Sequence, residues 1–246
     1  MNFTAEQLQT NFDNLLAIVD RYIQEPRAEA LKQLYNDHAE RIMLMPAASV
    51  DHHHNTFPGG YVDHVIRVTN CALSIKKLWE ASGAVINYTD EELVFAALNH
   101  DLGKIGTEEA EQYILNEFEW HRKNQGKIYN HNPVNAFMLV PDRSLFLLQQ
   151  RGIKVSANEY LGIRIHDGLY DESNKAYYMS HSKDSKLRTN LPIILHHADH
   201  MAARIEYETW NASQTKTVSS IKSSSASSNI SDSQKSELAN IFNNLF

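Results

Sequence analysis

His64, the adjacent pair His100-Asp101, and Asp199 are the residues of this chain whose types suit work on a divalent metal. Each falls on, or at the end of, a segment with helical spacing. Neutral imidazoles and carboxylates can hold such an ion while leaving positions open, so that a water is acidified and a phosphoryl oxygen is polarised. Two His and two Asp also balance the charge of the ion, although spacing alone does not bring them together. The run Asn99-His100-Asp101-Leu102-Gly103-Lys104 adds a turn at Gly103 and a cation at Lys104, within reach of an anionic substrate. Toward phosphate, lysine acts as a compact point charge. Cys71 is the only cysteine. That excludes an internal disulfide and a thiolate-rich zinc site, so any metal has to be held by imidazole and carboxylate.

The elements that must position these groups read as helices. Leu8, Phe12, Leu15, Leu16, Val19 and Ile23 recur at helical spacing, Pro26 interrupts, and Ala30, Leu31, Leu34 and Tyr35 resume the pattern. Residues 3–45 are therefore expected as two helical segments. Met45 to Gly60, with Pro46, Pro58, Gly59 and Gly60 around His52-His53-His54, reads as an ordered irregular loop. Helical spacing returns from Tyr61 to about Ser82, with Val62, Val65, Val68, Leu73 and Leu78 facing inward. Thr89-Asp90-Glu91-Glu92 has the form of a capping box. The helix it starts runs into His100 and is expected to stop at Gly103. Glu108–Glu119 and Asn132–Val140 are further helix candidates, and 121–130 reads as loop or short hairpin. Leu145–Gln150 and Asn158–His166 continue the helical reading. Asp167–Arg188 reads as a long loop of the kind that often carries function, and Asn190 to about Trp210 closes the globular part as a helix. The expected fold class is all-α.

Bulk properties narrow the classes. The length suits one globular domain of residues 1–210 with an appendage, divided into a helical N-terminal segment 1–45 and a core 46–210. Residues 211–234 read as a flexible Ser-rich linker, since serine without aromatic residues cannot bury enough apolar surface to order itself. Residues 235–246 regain an apolar pattern at Leu238, Ile241, Phe242, Leu245 and Phe246. No stretch approaches the roughly 20 apolar residues of a membrane span. The start MNFTAEQLQTNFDNLL lacks the basic and apolar regions of a signal peptide, so a cytoplasmic protein without membrane association is expected. A net charge of -7 argues against a broad basic surface for long nucleic acid.

His100-Asp101-Leu102-Gly103-Lys104 resembles the H-D-x-G-K signature of the HD superfamily of metal-dependent phosphohydrolases. His53-His54 through Gly59-Gly60 to His64 is similar to the "HH-x-x-x-x-GG-x-x-x-H" block of the branch that includes bacterial 3′-to-5′ exoribonucleases. Asn130-His131, Ile165-His166-Asp167-Gly168 and His197-Ala198-Asp199 resemble its later blocks, in the same order over residues 46–206. The resemblance implies a helical domain with long loops around a metal site. It makes His64, His100, Asp101 and Asp199 the metal ligands, with His131 and His166 as second-metal or phosphate contacts. One or two divalent ions are implied, drawn from Mn, Co, Ni, Fe or Mg. The sequence departs from the branch pattern at Asp167, where His is usual, and at Asn130, where Gly is usual. It also lacks the nucleic-acid-binding barrel that precedes the domain in the exoribonucleases.

The function these features point to is hydrolysis of a nucleotide, a (deoxy)nucleoside mono- or triphosphate, with His100, Asp101 and Lys104 as the catalytic group. His54, Arg67, Lys104, His131, His166, Asp167 and Tyr170 are the candidate substrate contacts. Arg67 can equally form a surface ion pair, and Tyr170, Tyr177 and Tyr178 can stack on a base or pack the loop. Two alternatives stand beside this reading: a 3′-to-5′ exonuclease on single-stranded DNA or RNA, and a non-catalytic nucleotide-binding scaffold. The end of the chain, Ile241 to Phe246, resembles the short peptides by which replication proteins dock on sliding clamps. It equally suits self-packing or a homo-oligomer contact.

Overall fold

The computed structural model describes residues 3–51, 53 and 55–225, with side chains described as far as 213. The chain divides into two units, Met1–Tyr207 and Glu208–Phe246. The first unit carries every site residue discussed below.

Three helices open the chain where sequence spacing gives two: α1 (Ala5–Tyr22), α2 (Arg27–Asp37) and α3 (Ala39–Leu44). The extra break falls at His38, whose backbone leaves the helical region between α2 and α3. Next come α4 (Gly60–Ala81) and α5 (Asp90–Asn99). Thr89 and Glu92 cap α5 reciprocally, as the capping-box pattern predicts, satisfying two otherwise orphaned backbone donors. Seven consecutive residues of α5, Leu93 to Asn99, are buried, so this helix runs through the middle of the core. Its one buried amide is satisfied: Asn99 accepts from the Tyr35 hydroxyl at 2.9 Å and donates to Phe95 O at 2.8 Å. On α4, Val62, Val65 and Val68 are buried as expected, whereas Leu78 is 65% exposed because the end of the helix outruns the core.

Two expected helices are absent. Glu108–Glu119 instead holds strand β1 (Tyr113–Leu115), and α6 (Glu119–Gln125) occupies part of the span read as loop or hairpin. Strand β2 (Tyr129–His131) pairs antiparallel with β1, setting Tyr113 opposite His131. The apolar run Tyr113–Leu115 is too short for periodicity to tell strand from helix, and the adjacent Ser49 carbonyl accepts from the amides of both Ile128 and Tyr129. Asn132–Val140 is irregular up to α7 (Val140–Gln150), with Pro133 disfavouring helix at Asn132. Pro141 sits in the first turn of α7, where its missing N–H costs nothing. Helix α8 (Ala157–Arg164), short 3₁₀ turns at 168–170 and 172–174, α9 (Lys175–Tyr178) and α10 (Leu191–Ser225) complete the order. The architecture is all-α apart from the two-stranded ribbon.

Helix α10 continues to Ser225, over the first part of the span whose composition reads as flexible linker. A helix already nucleated adds one hydrogen bond per residue, and Ser, Thr or Asn cost only about 0.5 kcal/mol each against Ala, so propagation carries through such residues. Residues 226–246, including Ile241–Phe246, lie outside the described residues. Among the described residues no helix is long and apolar enough to cross a membrane.

Candidate metal centre

Two histidines reach the centre by the same local device. His100 follows the last residue of α5, and its Nδ1 lies 2.7 Å from Ala97 O. His166 follows the end of α8, and its Nδ1 lies 2.8 Å from Ile163 O. The final carbonyls of a helix lack intrahelical partners, and a carbonyl only accepts. Each ring must therefore carry its proton on Nδ1 when neutral, which turns the lone pair of Nε2 away from its own helix and into the cluster. The two rings meet edge to face at 4.7 Å.

His64 arrives differently, from the first turns of α4. Gly59 and Gly60 make that entry possible: Gly59 adopts a φ of +86°, and a Cβ on Gly60 would stand 2.0 Å from Asn55 O. The ring is fixed by Glu206, both of whose carboxylate oxygens lie 3.1 Å from His64 Nδ1. Its Nε2 faces Asp199 at 3.2 Å and Asp101 at 3.8 Å. Asp101 leads into the 3₁₀ turn Leu102–Ile105, which crosses Gly103 instead of stopping there; Gly106, at a φ of +97°, ends it. Gly103 serves close approach: a Cβ there would stand 2.2 Å from Val140 O on α7. Ser144 of α7 completes the clamp, accepting from Gly103 N at 2.7 Å and lying 3.1 Å from His100 O.

Ligand-capable atoms of His64, His100 and Asp101 lie within 4.8 Å of one another, and so do those of His100, His166 and Asp199. His100 Nε2 is buried without a hydrogen-bond partner, a costly arrangement unless something outside the chain accepts its lone pair. Burial holds the His100 pKa down to about 4, so this imidazole is neutral at neutral pH. For His64 burial also opposes charge, but Glu206 and Asp199 outweigh it and push the pKa up to about 10. The Asp101 carboxyl stays well below the usual range despite its burial, because Lys104 and three imidazoles surround it. Neutral imidazole, ionised carboxylates and an orphaned donor atom fit a divalent ion, which would displace the proton that His64 otherwise holds.

A cavity of about 610 Å³ opens on this cluster, with Asp101, Lys104, His166, Asp167, Tyr170 and Asp199 in its wall. Lys104 Nζ lies 2.5 Å from Asp101. Asp167 and Tyr170 sit at the rim, Tyr170 being 78% exposed. The Tyr178 hydroxyl instead bonds Ile165 O and Pro192 O and packs the loop. The remaining sequence candidates fall elsewhere. His131 is exposed on β2, its Nδ1 3.3 Å from Gln112 Nε2, and belongs to neither ligand grouping. Arg67 pairs with Glu206 at 3.2 Å and Asp63 at 3.3 Å, and lines a separate hollow. His54 lies outside the described residues.

Sequence reasoning missed Glu206. It stands seven residues after Asp199 on α10, and two acids one heptad apart on the apolar side of a helix were the available signal. His196, flanking Asp199 on another face of α10, has a structural role: its Nδ1 lies 2.8 Å from His166 O and braces the loop behind that residue.

In comparisons with protein-family models, curated proteins and solved structures, nothing matches this chain. The geometry defines the class: a helical protein with a buried His/Asp cluster that could hold a metal ion, compatible with an HD-like site.

Proposed function

We propose that this protein is an HD-type metal-dependent phosphohydrolase acting on a nucleotide. The observation that carries the reading is the buried convergence of His64, His100, Asp101, His166 and Asp199, with His100 Nε2 unpartnered and Lys104 beside it. His64, His100, Asp101 and Asp199 would hold the ion, with His166 shared with a second one. Imidazole and carboxylate donors suit Mn, Fe, Co, Ni or Mg. When bound, such an ion supplies Lewis acidity toward a phosphoryl oxygen and lowers the pKa of water.

The chain's own residues set the rest. Asp101, Asp167, Asp171, Glu172 and Asp199 face the cavity against Lys104, the one lysine or arginine among its lining residues, with His166 beside it. A phosphate is repelled there until cations are loaded, so turnover is strictly metal-dependent. Lys104, paired with Asp101, would neutralise a phosphoryl oxygen, and Asp101 would accept a hydrogen bond from the attacking water. With one lysine and no arginine on the wall, the cavity favours a small nucleotide over a 3′-to-5′ exonuclease substrate, whose backbone needs a basic track.

The test is a hydrolysis screen of mono- and triphosphates and short labelled DNA and RNA with Mn, Co, Ni, Fe and Mg. Phosphate, pyrophosphate or triphosphate released from a nucleotide by the wild type, and lost in Asp101→Ala, supports the proposal. Stepwise shortening of oligonucleotides with nucleotides untouched replaces it with the exonuclease. Binding of nucleotides without hydrolysis under every metal leaves the non-catalytic scaffold.

A further inference from the structure

Lys104 also lines a second cavity, of about 550 Å³. One wall is the ribbon. Tyr113 stands opposite His131, and Tyr129 is two residues from His131 on the same strand. Successive side chains on a strand alternate sides, so Tyr113, Tyr129 and His131 share one face. The tyrosine rings lie 6.3 Å apart, tilted by 50°, and His131 packs 5.7 Å from Tyr113. Met45 and Pro46 line the cavity as well.

The cations at this cavity are already engaged. Arg41 donates to Thr107 O at 2.6 Å and Ile105 O at 3.3 Å, and Lys104 is paired with Asp101. Asp37 is taken up by Arg151. Glu40 and Glu111 are different: among the described residues their carboxylates make no hydrogen bond or ion pair. Flat aromatic walls accompanied by free acceptors suit a planar ring that presents N–H donors.

We propose that this cavity is a base subsite, selecting a nucleobase with an exocyclic amino group: adenine, cytosine or guanine. The proposal rests on the phosphohydrolase reading for the position of the phosphate, with Lys104 lining both cavities. Ionised carboxylates are acceptors only, so they pair with the amino groups of these bases. Uracil and thymine present two carbonyls flanking a single N–H, and those lone pairs oppose the carboxylates. The tyrosines supply stacking, which is indifferent to base identity and worth about tenfold or more in affinity per base.

Chemical-shift titrations of the full chain with adenosine, cytidine and uridine test the subsite without any phosphate. Adenosine and cytidine should bind about tenfold more tightly than uridine, from the loss of one charge-assisted hydrogen bond. Tyr113→Leu should weaken all three, and the exposed Glu111→Gln should narrow the preference without disturbing the fold. No saturable binding, or equal affinity for the three nucleosides, overturns the proposal. So does a preference that Glu111→Gln leaves unchanged. Hydrolysis of p-nitrophenyl phosphate and its bis ester, which carry no base, reports separately on the phosphohydrolase reading. Selective nucleoside binding without that hydrolysis keeps the subsite and discards the enzyme; the converse pattern keeps the enzyme and discards the subsite.

Discussion

The two walls that meet at Lys104 are built on different principles. On one side, ligands sit at helix ends and on buried helix faces, and backbone carbonyls or a buried carboxylate aim each ring. On the other side, a short ribbon and the ends of α2 and α3 present a mixed wall: Tyr113 and Tyr129 are partly buried, Glu40 and Glu111 are exposed, and Asp37 is tied to Arg151 by a surface ion pair. A centre that must hold several like charges together needs rotamers fixed before the ion arrives, because any looseness lets the carboxylates part. A wall that only recognises a ring gains from adjustable side chains. On the proposed function, the difference would separate chemistry, placed on rigid elements, from specificity, placed on a ribbon and loops.

The strongest way to break this division is His100→Ala. Its ring contributes to both ligand groupings, so we expect turnover to fall at least about a thousandfold while helical circular dichroism is retained. Substantial hydrolysis by this variant would place the chemistry elsewhere. Gly103→Ala follows. Its Cβ would meet the Val140 carbonyl at 2.2 Å, forcing α7 from the 3₁₀ turn that carries Lys104. Overpacking of this kind costs about 1–3 kcal/mol, readable as a lower urea midpoint, and the same shift should lower turnover. An unchanged midpoint would mean that α7 does not clamp the turn.

Glu206→Gln tests whether the buried helix face aims its ligand as the helix ends do. The amide keeps the shape but loses the charge that orients His64, so we expect metal affinity to fall about 10- to 100-fold by calorimetric titration with Mn or Co. Arg67, which pairs with Glu206 at 3.2 Å, is then left short of a partner. Unaltered affinity would reduce Glu206 to a packing residue.

What the sequence made legible follows the same division. The fold class and the α5 capping box could be read from helical periodicity and local caps. The cluster His64, His100, Asp101, Asp199 was legible only through the resemblance to the HD signature, since spacing alone does not bring residues so far apart in the chain together. The ribbon could not be read, because strands of three residues leave almost no periodic signal, and the segment's further hydrogen bonds run to Ser49, far away in the chain. His131 shows the cost: the motif marks it as a ligand candidate, whereas the ribbon turns it toward Tyr113 and Gln112. Gly103 was read as a helix stop because glycine commonly ends helices. Its use here, a close approach to α7, depends on a backbone 37 residues later.

The smallest expected effect concerns the ion pairs that hold the rim of the second cavity. Arg151 binds Glu108 at 2.8 Å and Asp37 at 2.5 Å, and both carboxyls lie below their usual pKa range chiefly because of those bonds to Arg151. A carboxyl depressed in the folded state binds fewer protons there than in the unfolded chain. Its stabilisation is therefore present above the unfolded value, about 4.3 for Glu, and is lost as pH falls through the folded value. Arg151→Gln should flatten this acid limb below about pH 5 in urea midpoints taken across pH. Because Glu108 is about a third exposed, solvent screening keeps the contribution small, and 1 M salt should erase most of it. An acid limb unchanged by Arg151→Gln, or one indifferent to salt, would show that the rim is held by burial like the metal centre, and the contrast between the two walls would fail at that point.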